Sequence, residues 1–377
     1  MKTKLPIMLL ILMLLCCFGA VAVPNERIFA EAVGCSGKAM CVLESRSKRI
    51  LYSKNENAKL PMASTTKVVT AITVLQNCNN LTEFIQVDDH AVGVEGTSIY
   101  LRQGEMLTIK DLLYGLMLRS GNDAATALAI HVAGSVTNFA KAMNALAKTV
   151  GANNSNFTNP HGLDDADHYT TAYDLALITA YALKNPIFKE IVSTKSYVID
   201  ATNKSDKRFL TNKNRLLSSL EGCCGVKTGF TSRAGRCLVS ACEREDFQAV
   251  CVILNCGPMF EESSNLLNSV YEEYSNQLII DKNKEIYNEY IIDDKQGKLY
   301  LYTEENFYYP LNNGEKDKLK IKYNVKLDDA TENCEVGEID IYLNNHLLKT
   351  LKLFTMNKID KLIDSETLQI NELLWEE

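Results

Sequence analysis

Strand patterning at both ends of one long stretch, with helical patterning between, constrains the fold of this chain most. Met40–Glu44 and Arg49–Ser53, joined by polar residues 45–48, read as a β-hairpin. Gly225–Phe230, Arg236–Ala241 and Gln248–Leu254 carry the next strand signals, with turns between them. The chain between these ends is spaced for helices. Val68, Val69, Ile72 and Leu75 share one face just after Pro61-Met62-Ala63. Thr108, with Asp111 three residues on, makes an N-cap ahead of Ile109, Leu112, Leu113, Leu116 and Met117. Further helices are predicted from Asp123 to Gly134, from Val136 to Gly151 and from Ala172 to Lys184, the last closed by Asn185-Pro186. Another is predicted over Glu262–Tyr274. Strands split in this way meet in one antiparallel sheet, with the helices inserted between them in sequence. The expected fold is therefore an α/β domain with an inserted helical subdomain, and clefts form at such junctions.

The ends of the chain have their own composition. Lys2 and Lys4, the apolar run Leu9–Phe18 and the small residues Ala20-Val21-Ala22 read as an export signal over residues 1–22. That run is short for a bilayer span, and Pro24-Asn25-Glu26 follow it closely. The 377 residues leave room for two domains. A net charge of −7 without a basic block gives no electrostatic support for nucleic-acid binding. A catalytic domain is expected over 23–279 and a small all-β domain over 280–356. In the latter, Leu319, Ile321, Tyr323, Val325 and Leu327 alternate with polar residues, and Ile339, Ile341 and Leu343 repeat the pattern before an Asn344-Asn345 turn. Residues 357–377 form an acidic amphipathic tail, with Ile359, Leu362, Ile363, Ile370, Leu373 and Leu374 on one helical face.

Ten cysteines follow the export segment, from Cys35 to Cys334, and none forms a Cys-x-x-Cys pair. The five histidines show no metal spacing. Cys237, Cys242 and Cys251 fall in strand-like stretches, where a thiol acts as a small apolar side chain. Free, mostly buried thiols are the expected state, with one or more disulfides as the alternative.

Three short signatures carry the chemistry: Ser64-Thr65-Thr66-Lys67, Ser120-Gly121-Asn122 and Lys227-Thr228-Gly229. Taken singly, each also suits a capped helix, a turn or a strand edge. Ser64 falls at a helix start, where free N–H groups favour a developing anion. Lys67, three residues on, reaches the same face and can act as base if burial and positive neighbours such as Lys227 lower its pKa. Ser120, in a break between helices, is placed to relay a proton to a leaving amine, and Asn122 to hydrogen-bond a substrate amide. Lys227 and Thr228 present a charge and a hydroxyl to a carboxylate, while Gly229 allows a substrate backbone close to its strand. The N–H groups of Ser64 and Phe230 are the two oxyanion donors. Catalytic roles thus fall to Ser64, Lys67 and Ser120, and substrate binding to Asn122, Lys227, Thr228, Gly229 and Phe230.

With these residues placed, the chain resembles the serine-type D-alanyl-D-alanine carboxypeptidases, the low-molecular-mass penicillin-binding proteins. The likeness extends through Lys59–Lys67, Leu118–Ala125, Asn159-Pro-His-Gly-Leu-Asp164, His168-Tyr-Thr-Thr-Ala172 and Gly225–Thr231. It covers about residues 32–274 and continues more weakly into the β-rich part from Tyr309 onward. The resemblance implies a β-lactamase/transpeptidase-like fold and attack by Ser64 on the penultimate D-alanine carbonyl of a peptidoglycan stem pentapeptide. It also implies acylation by β-lactams and no metal or organic cofactor.

Some features depart from that pattern. Relatives often carry an arginine after the last sheet strand to grip the terminal carboxylate, and Met259 stands there, which shifts the task toward Lys213, Arg215 or Thr228. Cys223-Cys224 precede the Lys-Thr-Gly strand, where packing is the expected role. His161 is expected to be a hydrogen-bonded structural residue beside the cleft. The tail is acidic where relatives are often basic; anionic lipid repels it, so peripheral membrane contact rests on Trp375 and the leucines and stays open. A class A β-lactamase shares the three signatures but adds a glutamate-bearing loop, and residues 159–174 contain no glutamate. A catalytically idle wall-binding protein is the other alternative, and an intact Ser64 and Lys67 argue against it.

Overall fold

The computed structural model describes residues 34–284, 286–292, 295–325 and 333–356. The expected export segment 1–22 and tail 357–377 lie outside the described residues, as does Leu327. A five-stranded antiparallel sheet runs in the order Ile50–Lys54, Ala39–Glu44, Phe247–Leu254, Gly235–Arg244, Cys223–Thr231. The N-terminal hairpin thus lies against the last strand of this sheet in sequence, with Val42 opposite Cys251. That pairing joins the two ends as the patterning required. Cys223–Thr231 is left as an edge strand.

Period-two alternation sends each strand's side chains into two cores. Cys41, Leu43, Val239, Ala241, Val250 and Val252 face the inserted helices. Met40, Val42, Leu238, Cys242, Cys251 and Ile253 face the helix Met259–Glu273 through Leu266, Leu267 and Val270. Within the insert, the helix Lys67–Asn77 is buried along its first eight residues. Around it pack Ile109–Leu118, Asn122–Ala133, Val136–Thr149 and Ala172–Ala182. The Thr108–Asp111 capping box forms as expected.

Three boundaries differ most from the sequence reading, one being the helix expected over Glu262–Tyr274, which runs Met259–Glu273 while Tyr274 opens a strand. Asn185-Pro186 ends one helix but also starts another, Pro186–Ser193: Asn185 Oδ1 accepts the N–H groups of Ile187 and Phe188, and proline suits the first helical position. Ser64 lies in a 3-10 turn, Ala63–Thr66, and the α-helix proper begins at Lys67.

Beyond the catalytic sheet, Tyr274–Ile280 pairs with Phe307–Asn312. A second five-stranded sheet runs Ile286–Ile292, Lys295–Tyr302, His346–Thr355, Glu335–Leu343, Leu319–Val325. Its hairpin turns at Asn344-Asn345, both at positive φ, which asparagine tolerates. Arg49 ties this region to the N-terminal hairpin: its guanidinium donates to Pro310 O, pairs with Glu315 at 2.5 Å and lies over the rings of Tyr274 and Tyr309. All ten described cysteines are free thiols, six of them buried. Among the described residues, no helix is long and apolar enough to cross a membrane.

Candidate active site

The turn that carries Ser64 is held from three sides. Thr65 Oγ1 donates to Met62 O at 2.6 Å, and Thr66 Oγ1 to Ala63 O at 2.9 Å. His168 Nδ1 accepts the Thr158 N–H at 3.0 Å, so Nε2 carries the proton and donates to Thr66 Oγ1 at 2.9 Å. Burial pushes this imidazole down to about 4, which keeps it neutral. Gly162, at φ 88°, packs on the turn so closely that a Cβ would fall 1.9 Å from Ala63 O. Only glycine fits there. Ser64 itself is left half-exposed.

Lys67 is completely buried beneath it. Its Nζ lies 3.0 Å from Ser64 Oγ, 2.7 Å from Asn122 Oδ1 and 2.6 Å from His161 O. Burial first, then the charges of Lys227 and Lys213, hold its pKa well below the usual lysine range. A neutral amine has two N–H bonds. The two carbonyl oxygens take both, which aims the lone pair at Ser64 Oγ.

Ser120 and Asn122 sit in the break between Ile109–Leu118 and Asn122–Ala133. Ser120 is buried at φ 65°, and its hydroxyl has no hydrogen-bond partner among the described residues. A buried unpaired hydroxyl in a left-handed backbone is a costly arrangement, of the kind that collects at functional sites. The Asn122 amide is used at both ends, since Nδ2 donates to Glu95 O at 2.6 Å. Asp123 accepts from Ser98 Oγ and from the N–H groups of Ile99 and Leu101, which fixes the loop that presents Glu95 O. Sequence reasoning assigned no role to Asp123, Gly162 or His168, although all three lie in the stretches that carried the family likeness.

The edge strand brings Lys227 and Gly229 to the same place. Lys227 is buried and donates to Thr228 O at 2.9 Å; burial, then Lys213, pushes its pKa down to about 7. Gly229 has its Cβ side filled by the chain's own turn: a Cβ would lie 3.0 Å from Met62 O and Thr65 N and 3.1 Å from Ser64 N. The glycine therefore lets the strand meet the serine turn, a need the sequence reading did not identify. Thr228 is half-exposed and Phe230 is 65% exposed. Cys223 faces Cys242 across the strand pair.

Met259, which stands where relatives often carry arginine, packs against the core beneath the sheet, and Arg215, one of the residues considered for gripping a carboxylate, lies over the Phe260 ring at 5.7 Å. Lys213 is exposed and acts electrostatically on both buried lysines. His161 supplies its carbonyl to Lys67, while burial and the Lys67 charge push its ring down to about 3.

A serine in contact with a buried amine, at the junction of an antiparallel sheet and a helical insert, defines a serine acyl-transfer enzyme. Comparison with known proteins narrows the class. The D-alanyl-D-alanine carboxypeptidase family model matches residues 27–257, and that of the penicillin-binding protein 5 C-terminal domain matches 274–361. The chain is 30% identical to D-alanyl-D-alanine carboxypeptidase DacF of Bacillus subtilis over 300 residues, covering 78% of this chain and 76% of the relative. It is 29% identical to DacC of Escherichia coli, covering 88% and 86%. Penicillin-binding protein 5 of Haemophilus influenzae superposes with a TM-score of 0.72 at 25% identity, over 88% of this chain and all of that one. The chain belongs to the D-alanyl-D-alanine carboxypeptidase family.

Proposed function

We propose that Ser64 carries the acyl group in this chain's reaction and that Lys67 is its base. The enzyme is a serine-type D-Ala-D-Ala carboxypeptidase and penicillin-binding protein. One observation carries the assignment: the buried, charge-depressed Lys67 amine 3.0 Å from Ser64 Oγ. Neutral Lys67 takes the Ser64 proton as Oγ attacks the penultimate D-alanine carbonyl. The oxyanion that forms is received by the N–H groups of Ser64 and Phe230. Ser120, whose hydroxyl is otherwise unpaired, passes the proton from Lys67 to the leaving amine, and terminal D-alanine departs. Water then hydrolyses the ester and restores Ser64.

The stem peptide lies along the open edge of Cys223–Thr231, the mode by which extended peptides add to a sheet. Lys227, Thr228 and Lys213 receive its terminal carboxylate, with Asn122 holding Lys67 and lining the amide. The basic, apolar and small-residue pattern of 1–22 supports export, which places the site where peptidoglycan is remodelled and cell shape is set. Tail contact with a membrane through Trp375 is tested separately, by flotation with vesicles.

Mass spectrometry after penicillin treatment tests the nucleophile. Wild type gains one penicilloyl adduct, and Ser64→Ala gains none. An adduct on Ser64→Ala, or no D-alanine release by wild type from a pentapeptide ending in D-Ala-D-Ala, overturns the reading. Rapid turnover of penicillin would favour a β-lactamase instead.

A further inference from the structure

We propose that Cys35, Cys256 and Glu262 form a binding site for a thiophilic divalent cation, Zn2+ by its chemistry, at the end of the catalytic sheet. Cys35 lies in the segment before the first strand, Cys256 just after Phe247–Leu254, and Glu262 in the first turn of Met259–Glu273. Folding brings them together. Cys35 Sγ is 2.8 Å and Cys256 Sγ 3.1 Å from the same oxygen, Glu262 Oε2. The three donor atoms all lie within 4.8 Å of one another.

The surroundings orient these groups as ligands. The Ser36 N–H donates to both carboxylate oxygens at 3.1 and 3.0 Å, and its hydroxyl donates to Oε1 at 2.5 Å. Those bonds fix the carboxylate as outer partners fix metal ligands. Both cysteines are buried and Glu262 is half-exposed, so the cluster has dry sulfurs and a path from solvent. Two thiolates, a carboxylate and an oxygen from water or Ser36 make a four-coordinate set suited to zinc. Zn–S bonds of about 2.3 Å and Zn–O bonds of about 2.0–2.2 Å put tetrahedral sulfur and oxygen donors about 3.6 Å apart. The two sulfurs, which hydrogen-bond the same oxygen here as thiols, therefore spread from it by roughly half an ångström once they lose their protons. The excess negative charge faces Lys54, whose ammonium donates to Cys35 O.

A disulfide would use only the two sulfurs and leave Glu262 bonded to Ser36 alone, whereas the cation engages all three side chains. On binding, the two S–H bonds break, their protons pass to solvent and two Zn–S bonds form, with no change in oxidation state. The bound ion would link residue 35 to residues 256 and 262 and so pin the N-terminal segment to the sheet. No spacing rule finds this site, because Cys35 stands 227 residues from Glu262.

The test uses the reduced mature chain, with native mass spectrometry after Zn2+ addition and Co2+ substitution read by absorption. Wild type should take up one Zn2+, show sulfur-to-cobalt charge-transfer absorption and melt at a higher temperature with zinc. Cys256→Ser should lose stoichiometric uptake, the absorption and the thermal shift, while Ser64 still reacts with penicillin. If that variant does not fold, Glu262→Gln is measured, and it should bind Zn2+ more weakly. The proposal is overturned if reduced wild type takes up no Zn2+, or if uptake is undiminished in the variant measured. It also fails if peptide mapping of zinc-grown protein finds Cys35 and Cys256 joined as a disulfide.

Discussion

Gly229 and Ser64 touch through their backbones: a Cβ added at residue 229 would stand 3.1 Å from Ser64 N. The neighbours on that side are main-chain atoms of the serine turn, which cannot swing away as a side chain does. Gly229→Ala should therefore push the edge strand off the turn by a few tenths of an ångström and misplace the oxyanion donors. Because ångström-scale misplacement costs up to about a hundredfold in rate, acylation of Ser64 by penicillin should slow by roughly ten- to a hundredfold. Stopped-flow acylation kinetics check this, with circular dichroism to show that the fold survives. An unchanged rate would mean that the donors are not set by this contact.

The two buried lysines predict a pH profile with limbs of opposite cause. Lys67 must be neutral to accept a proton, so acylation falls as acid protonates it. Lys227 must be charged to hold a carboxylate, so binding of carboxylate-bearing substrates weakens as pH rises through about 7. Lys213 depresses both groups. Lys213→Met removes that positive neighbour and should move both limbs to higher pH. Acylation rates across the pH range measure this, and an unshifted acid limb would remove Lys213 from the network.

Much of this was legible in the sequence because it depends on local periodicity. The short apolar runs in Met40–Glu44 and Gln248–Leu254 marked strands, which the fold buries on both faces, and Thr108 with Asp111 marked a helix start, because such signals lie within a few residues of one another. The signatures at 64 and 120 named Ser64 and Asn122, which hydrogen-bond Lys67, and the one at 227 named Lys227, whose charge acts on it. What local spacing does not encode is contact between distant backbones. Gly162 against Ala63, Gly229 against Ser64 and Asp123 against the 98–101 loop are visible only once the chain has folded. The paired strands Tyr274–Ile280 and Phe307–Asn312 also escaped, because Pro310 and mixed polar residues blur their alternation.

His168 supports the serine turn only while neutral. Its folded pKa of about 4 lies below the ordinary 6.5, so the folded state resists protonation more than the unfolded chain does. The sign follows: stability is fully present above pH 6.5 and is lost as pH falls toward 4. The His161 ring, at about 3, adds to the same loss and extends it to lower pH. Thermal melts at falling pH should show a steady decline through this window. His168→Gln should start less stable, because a buried bond to Thr66 is weakened at a cost of about 1–3 kcal/mol, and should lose less on acidification. A mutant curve parallel to wild type would locate the acid sensitivity elsewhere.

Arg49 and Glu315 join the N-terminal hairpin to the β-rich region, with side chains only 4% and 9% exposed. Pairs buried to this degree are costly to break by halves, because the surviving charge is left in a low-dielectric site; the loss is about 3–5 kcal/mol. Arg49 also covers the Tyr274 and Tyr309 rings, so Arg49→Ala removes packing as well as charge. The hydrogen bonds that hold the Ser64 turn run to Met62, Ala63 and Lys67, and none of them involves Arg49 or Glu315. Arg49→Ala should therefore lower the melting temperature, and calorimetry should resolve a separate transition for the β-rich region, while penicillin acylation at low temperature stays at the wild-type rate. Glu315→Gln, which keeps the shape and removes the charge, should lose less stability than Arg49→Ala. If the two substitutions cost the same, the ion pair and not the ring packing holds the two regions together, and a melt that stays single would mean that the two regions unfold as one unit.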